Sequence, residues 1–424
     1  MIPELYRFIH SILPLPFLNF ITKKSKIQAF YLFFIKKTNK ICSFPYGIIE
    51  KNKRGHVMTA KEYAIASAKT MMKKFAAEKL PPEGHFHYHQ GVFLSGMLAL
   101  YEVTKDKEYF SYVKRWVDAM LGEDGIPKDM LTNEPDDLQP GVLLFTLYEE
   151  TKDPVYKNLL DKLVEWMLLL KKNPEGGIWH KDFMDDQMWL DSMYMAGVIT
   201  SRYAEKFGGE IHRDFVYKQM TLMREHTKDE KTGLYYHAWD YSKKAEWADK
   251  KTGCSASFWG RAMGWFAVSM FEIAKTMADS AERRDYIDTG LALIDALLRF
   301  RDPKSGMWYQ VVDKVGAEGN WIETSCSCLF LYAILLAVEI GAIEKSAVEA
   351  VAKETFAAIA NSLAKGKDGY IGVRGVCIGT GVDAGTYEHY IARPTVENDL
   401  HGVGAFLLMA SQYAKIFENE GDEQ

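Results

Sequence analysis

Cysteine is scarce in this 424-residue chain, and its spacing suits no cross-link: Cys42, Cys254, Cys326, Cys328 and Cys377 are an odd, scattered set. No C-x-x-C occurs, and Cys326-Ser-Cys328 is too close for a usual zinc pair. The reading is buried or unpaired thiols in a reducing compartment. Proline is also rare, at 13 residues. There is no strand alternation of any length, no G-x-G-x-x-G before a helix and no P-loop, which disfavours nucleotide-binding folds. Absence of G-x-S-x-G and of H-E-x-x-H removes the nucleophile-elbow hydrolases and the zincins. The composition excludes disorder, collagen-like repeats and a disulfide mini-scaffold: 48% of residues are hydrophobic and 26% charged.

Charge is unevenly placed. Residues 1–54 hold ten Lys/Arg against two acids, net +8, while the rest of the chain carries net −13. An acidic body makes nucleic acid an unsuitable partner. The basic, apolar N-terminal stretch has no clean apolar run ending in a small-residue cleavage site, so it does not read as an export signal. It has no unbroken window of roughly 20 apolar residues, so it does not read as a spanning helix either. Residues 1–54 are expected to be a peripheral or poorly ordered extension and 55–424 one catalytic domain. The expected location is the cytoplasm, with no membrane required, as a monomer or homodimer.

What the chain does have is repetition. Turn-rich segments carrying Gly and an aromatic residue recur at 81–91, 122–130, 173–183, 229–240, 302–313 and 365–375. Each precedes a helical pattern rich in small residues, and amphipathic helices such as Pro154–Leu170 lie between them. Six units of this kind predict an all-α fold, an (α/α)6 toroid of six helical hairpins, with the pre-helix loops gathered at one end. The alternative is an open helical solenoid. Long, aromatic, chemically distinct loops argue against it.

If the loops converge, their polar residues meet. Inner-helix starts supply Asp136, Asp137, Asp191, Arg261, Asp399 and His401; the loops supply His87, Tyr88, His89, His180, His237, Asp240 and Glu323. Trp179, Trp189, Trp239, Trp259, Trp265, Trp308 and Trp321 lie in or beside the same segments, so one aromatic face is expected. Asp191, in Trp189-Leu190-Asp191-Ser192-Met193-Tyr194-Met195, would be desolvated by its neighbours and fit for proton transfer. A helix cap is its ordinary alternative. Asp136 carries the same ambiguity, and paired carboxylates on neighbouring inner helices suit glycosidic chemistry. Arg261 is either a structural ion pair or a fork for a substrate carboxylate. His237 is a hydrogen-bond donor, a proton shuttle or a structural loop histidine. The run His85-Phe86-His87-Tyr88-His89 invites a metal, yet no acidic partner motif follows it, and no metal or other cofactor is expected.

At these residues the chain resembles a known family. The strings HYHQGVFLSGM, DDLQPGVLLFTLYEETKDP, GGIWHKDF, QMWLDSMYMAG, TGLYYHAWD, TGCSASFWGRAMGW, SGMWYQVVDK and NDLHGVGAF are similar to the family 105 glycoside hydrolases, the unsaturated rhamnogalacturonyl hydrolases. The likeness runs from about Thr59 to about Phe417 and leaves the N-terminal arm uncovered. It implies the (α/α)6 fold and a substrate with a 4,5-unsaturated galacturonic acid at its non-reducing end, left by pectin (rhamnogalacturonan) lyases. It implies hydration of the C4=C5 vinyl ether and collapse of the resulting hemiketal. Asp191 then gives the proton and activates water, and Asp136 orients the sugar. Tyr88, Trp189, His237, Trp259, Arg261 and Trp265 surround the ring. The nearest competing substrate class is glycosaminoglycan-derived disaccharide, as for an unsaturated glucuronyl hydrolase of family 88.

Overall fold

The computed structural model describes residues 57–128, 130 and 134–418. The expected extension at 1–54 lies outside the described residues. Twelve helices among them form two concentric rings. The inner ring is α2 (Tyr88–Thr104), α4 (Val142–Thr151), α6 (Val198–Phe207), α8 (Gly260–Thr276), α10 (Thr324–Glu339) and α13 (Leu400–Phe417). The outer ring is α1 (Ala60–Lys74), α3 (Lys107–Met120), α5 (Pro154–Leu169), α7 (Glu210–Thr227), α9 (Ala281–Arg299) and α11 (Lys345–Ser362). The ring closes where α13 packs along α2.

The sixth hairpin is not continuous in sequence. Five inner helices are each followed by their outer partner, but α13 ends the described chain and packs against α1. The repeat count was right, but the expectation that the amphipathic helices lie between the repeats fails for the last unit, whose partner α1 precedes the first repeat. A toroid needs its ends joined, and pairing the first helix with the last does this without a further connection.

Burial follows ring position. Nearly every residue of α10 and α13 is buried, because inner helices touch neighbours on all sides. Outer α3 buries one stripe, Tyr109, Tyr112, Val113, Trp116, Val117 and Met120. Small residues set the closest inner contact. A Cβ at Gly404 of α13 would stand 2.4 Å from the Val92 carbonyl oxygen of α2, and one at Gly96 would stand 2.7 Å from Leu407 Cβ. Inner-to-outer turns reuse one device: Thr104-Lys105-Asp106 and Thr151-Lys152-Asp153 place Lys in the left-handed region (φ 55° and 60°) and Asp at the next N-cap.

Strands are two or three residues long and serve the loops. The pair that matters joins β1 (Gln187–Trp189) to β2 (Ala238–Asp240), with Trp189 opposite Ala238. Two shorter ladders, β3 (Ala364–Lys365) with β4 (Ile371–Gly372) and β5 (Val376–Cys377) with β6 (Thr395–Val396), brace the excursion before α13. That excursion also holds the short helix α12 (Tyr387–Ile391). No helix among the described residues is long and apolar enough to cross a membrane. The four described cysteines are free and buried.

Candidate active site

The N-terminal ends of the inner helices and the loops before them enclose a cavity of about 270 Å³. Asp136, Asp191, Tyr88, Trp189, Trp259, Arg261 and Trp265 all line it. Of the expected site residues only His237 is not on the lining; it stands directly behind Asp191.

Local structure explains the placement of Asp191. The β1–β2 ladder lays the third and fourth pre-helix loops side by side, and Leu190 N–H donates to the His237 carbonyl at 3.0 Å. Asp191 follows at once and opens a π-helical turn, Met193–Gly197, ahead of α6. Its carbonyl accepts from Tyr194 and Met195 N–H, so its backbone begins the helix while its side chain faces the cavity. Single π turns are rare and recur at functional sites. Nothing in the sequence signalled this one.

Asp191 is 8% exposed, and its Oδ2 lies 3.3 Å from His237 Nε2. Neither atom has a hydrogen-bond partner among the described residues. His237 is fully buried, its Nδ1 2.7 Å from the Tyr390 hydroxyl. Trp189 and Trp259 wall it in, their rings 5.2 and 4.6 Å from the imidazole.

Asp136 has a different environment. Its Oδ2 accepts from Lys181 Nζ at 2.7 Å, and His87 and His180 each bring Nε2 to 3.9 Å. Burial favours the neutral acid, but Lys181, His180 and His87 outweigh it and hold Asp136 well below the usual carboxylate range. Burial dominates at the imidazoles, pulling His87 and His180 down to about 4 despite Asp136. His180 Nδ1 lies in hydrogen-bond contact with Ser192 Oγ at 2.9 Å, and the ring stacks on Trp189. The cavity therefore holds a fixed anion at Asp136 and a carboxyl at Asp191 without a salt-bridged lysine or arginine.

Arg261 is 1% exposed and lies over Trp259, 4.6 Å from the ring. Its Nη1 and Nη2 donate to the Cys377 and Ile378 carbonyls at 2.5 and 2.7 Å. No carboxylate lies within ion-pair distance among the described residues, so the structural ion-pair alternative fails. Backbone carbonyls orient the guanidinium and leave its charge unneutralised. Trp265 is braced from behind by Tyr194, stacked at 4.5 Å.

His87, His89 and His180 also line the cavity, whereas other candidates belong elsewhere. Asp240 caps its own loop through Ser242 and Ala245 N–H, and Glu323 caps α10 by accepting from Cys326 N–H. The single aromatic face expected from seven tryptophans is also too broad. Trp239 stacks on His226, Trp308 is core against Phe330, and only Trp189, Trp259 and Trp265 reach the cavity. Of the adjacent acids, Asp136 lines the cavity and Asp137 does not.

Sequence reasoning missed Lys181, Tyr390 and the Gly379-Thr380-Gly381 wall. Lys181 followed a histidine that was noticed, and its charge could have been paired with the PDD motif. The other two sit in the excursion before α13, where no periodicity marks them. Two histidine-acid clusters, His89 with Asp399 and His401, and His87 with Glu134 and Asp136, bring ligand-type atoms within 4.8 Å of one another. The acidic partners thought missing beside the histidine run come from distant loops. Lys181 pairs with both acids of the second cluster, Glu134 at 2.9 Å and Asp136 at 2.7 Å, and within the first Asp399 lies 2.8 Å from His401.

A closed ring of six helical hairpins, with buried carboxylates and an aromatic-walled cavity at one mouth, defines an (α/α)6 toroid with a candidate active site at that mouth. Comparison makes the class specific. The Glycosyl Hydrolase Family 88 model matches residues 63–417. A family 105 glycoside hydrolase from C. acetobutylicum ATCC 824 superposes with a TM-score of 0.79 at 32% identity, covering 84% of this chain and 99% of that one. The unsaturated rhamnogalacturonyl hydrolase YesR of Bacillus subtilis is 30% identical over 246 residues, 56% of this chain and 66% of YesR. An unsaturated glucuronyl hydrolase from Bacillus sp. GL1 shares the fold with a TM-score of 0.64 at 14% identity, covering 84% of this chain and 96% of that one. The chain belongs to the glycoside hydrolases of the family 88 and family 105 group, which act on unsaturated uronides.

Proposed function

We propose that the enzyme hydrates the C4=C5 bond of a 4,5-unsaturated galacturonyl residue linked to rhamnose, in oligosaccharides left by pectin lyases. The observation that carries this reading is the pairing of Asp191 with His237 in an aromatic cavity that also holds the Arg261 cation. Protonated Asp191 gives its proton to C4, and positive charge grows at C5 beside the ring oxygen. The resulting carboxylate stabilises that charge and takes a proton from water as the water oxygen bonds to C5. Asp191 returns to its starting state, and the net reaction adds one water. The C5 hemiketal opens with cleavage of the bond from C5 to the ring oxygen. This leaves a hemiacetal at C1 that releases the rest of the sugar.

Each neighbour has a role in this scheme. Arg261 meets the uronate carboxylate, and the N-terminal ends of the surrounding helices favour the same charge. Asp136, kept ionised by Lys181, accepts from sugar hydroxyls. Trp189, Trp259 and Trp265 exclude competing water and present apolar faces to the ring. No step uses a metal.

The galacturonyl-rhamnose preference is supported by the likeness to YesR. A panel of unsaturated disaccharides tests it through the ultraviolet absorbance of the conjugated uronide. The expected result is rapid loss with unsaturated galacturonyl-rhamnose and little with the chondroitin-derived disaccharide. The opposite order would move the enzyme to the glucuronyl class, and turnover of neither would overturn the reading.

A further inference from the structure

The Tyr390 hydroxyl sits 2.7 Å from His237 Nδ1, on the side of the imidazole away from Asp191. Tyr390 is fully buried on α12, and the surrounding structure fixes it. Its ring stacks on Trp259 at 5.9 Å, and Gln310 Nε2 donates to its carbonyl at 3.2 Å. Gln310 Oε1 also accepts from Trp259 Nε1, so one buried amide ties together the cavity wall and the tyrosine behind it.

The tautomer of His237 follows from counting partners. Among the described residues, His237 Nδ1 is the one hydrogen-bond partner of the Tyr390 hydroxyl. If Nδ1 carried the proton, the hydroxyl would have to accept, leaving its own hydrogen buried without an acceptor, which is costly. If the hydroxyl donates, Nδ1 is a lone pair and the proton sits on Nε2. That N–H is then on the Asp191 side, its nitrogen 3.3 Å from an Oδ2 that has no hydrogen-bond partner among the described residues. Burial keeps the Tyr390 phenol protonated, its pKa raised well above the ordinary value.

We propose that Tyr390 is a positioning residue for the hydration: its hydroxyl fixes His237 as the Nε2–H tautomer, and that N–H holds Asp191 Oδ2. The second carboxyl oxygen is left free to pass protons to and from the substrate. Holding Asp191 in this way requires the 3.3 Å contact to close to hydrogen-bond geometry when the sugar fills the cavity. Without the phenol, His237 is free to place its proton on Nδ1. A nitrogen lone pair would then face the carboxylate and repel it as it forms.

The inference rests on Asp191 as proton carrier, and its tests separate it from that reading. Nitrogen-15 spectra of histidine-labelled protein, with the His237 signals assigned by their loss in His237→Asn, report the tautomer with no substrate present. The Nε2–H form is expected in the native chain, and an Nδ1–H form there overturns the proposal even if no variant folds. Tyr390→Phe should populate the Nδ1–H form. It should also lower kcat by about 10- to 100-fold while KM changes less than about threefold. In a His237→Asn background the same substitution should cost less than about twofold, because the two residues act as one unit. Unchanged kcat in Tyr390→Phe, or equal losses in both backgrounds, would show that Tyr390 does not act through His237. If the native enzyme turns over no unsaturated uronide, the functional reading fails while the tautomer result still stands.

Discussion

The toroid has two mouths, and the candidate site lies at the smaller one. At the C-terminal ends of the inner helices a cavity of about 630 Å³ opens, against about 270 Å³ at the N-terminal ends. The larger one is lined by Arg202, Glu272, Tyr332, Lys275 and Lys415 among others. Its buried charges have partners. Arg202 pairs with Glu272, which also accepts from Tyr332 at 2.5 Å, and Glu339 accepts from both Lys275 and Lys415. Lysines here also face helix C-termini, where cations are stabilised. At the smaller mouth, among the described residues, Arg261 has no carboxylate within ion-pair distance, and Asp191 Oδ2 and His237 Nε2 face each other without a hydrogen bond. The proposed chemistry is therefore assigned to the smaller mouth by charge without an internal partner rather than by volume, because a substrate or transition state can supply what is missing.

That contrast can be broken at several points. The largest effect should come from Asp191→Asn, which removes the acid but not its shape. Turnover is expected to fall by roughly 10³-fold or more with folding kept, as followed by uronide absorbance and a thermal melt. Near-native turnover would place the proton donor elsewhere. Next comes Arg261→Lys, which keeps charge but loses the fork held by the Cys377 and Ile378 carbonyls. A loss of about 10- to 100-fold in kcat/KM, mainly through KM, is expected from steady-state kinetics. An equal loss confined to kcat would argue against carboxylate binding.

Lys181→Met probes Asp136, whose depressed pKa has a definite sign. A carboxyl held below its unfolded value adds stability that is fully present above about pH 4 and lost as pH falls through the folded value. Without Lys181 that contribution shrinks, so acid unfolding followed by circular dichroism should begin at higher pH than in the native chain. An unchanged acid midpoint would mean that Lys181 is not what holds Asp136.

The opposite mouth should respond in stability alone. Arg202→Met leaves Glu272 buried with Tyr332 as partner and should cost about 1–3 kcal/mol, discounted for partial exposure of the arginine, with kcat within about twofold. Smallest of all is Gln412→Leu, since Gln412 Nε2 is buried without a partner. Neutrality to a gain of about 1 kcal/mol is expected in denaturant titration, with activity unchanged. A large loss of turnover from either variant would end the division of labour between the mouths.

Much of this arrangement could be read in advance. Aromatic-glycine loops before small-residue helices announced the inner ring, and Trp189-Leu190-Asp191 announced an acid among apolar neighbours. Legibility stopped where partners come from distant parts of the chain. Nothing around Asp136 names Lys181, 45 residues away, and nothing around His237 names Tyr390, 153 residues away. Glu323 and Asp240 were loop acids among the candidates, yet Asp240 is consumed by a local cap and Glu323 by the α10 cap and the Cys377 N–H. Trp308 matched the other tryptophans in its setting but points into the core, its Nε1 donating to the Leu297 carbonyl at 2.7 Å.

Local order is what the chain determines by itself here: which stretches coil, which face of each coil is greasy, where turns fall and how many times the unit recurs. Those properties depend on neighbours three to five residues apart, so a linear string carries them. Closure of the last hairpin by the first helix, the π turn beneath Asp191, and the division of identical residue types into paired and unpaired groups came only from tertiary structure. They depend on distances between segments far apart in the chain, and such distances are settled by packing the whole ring at once.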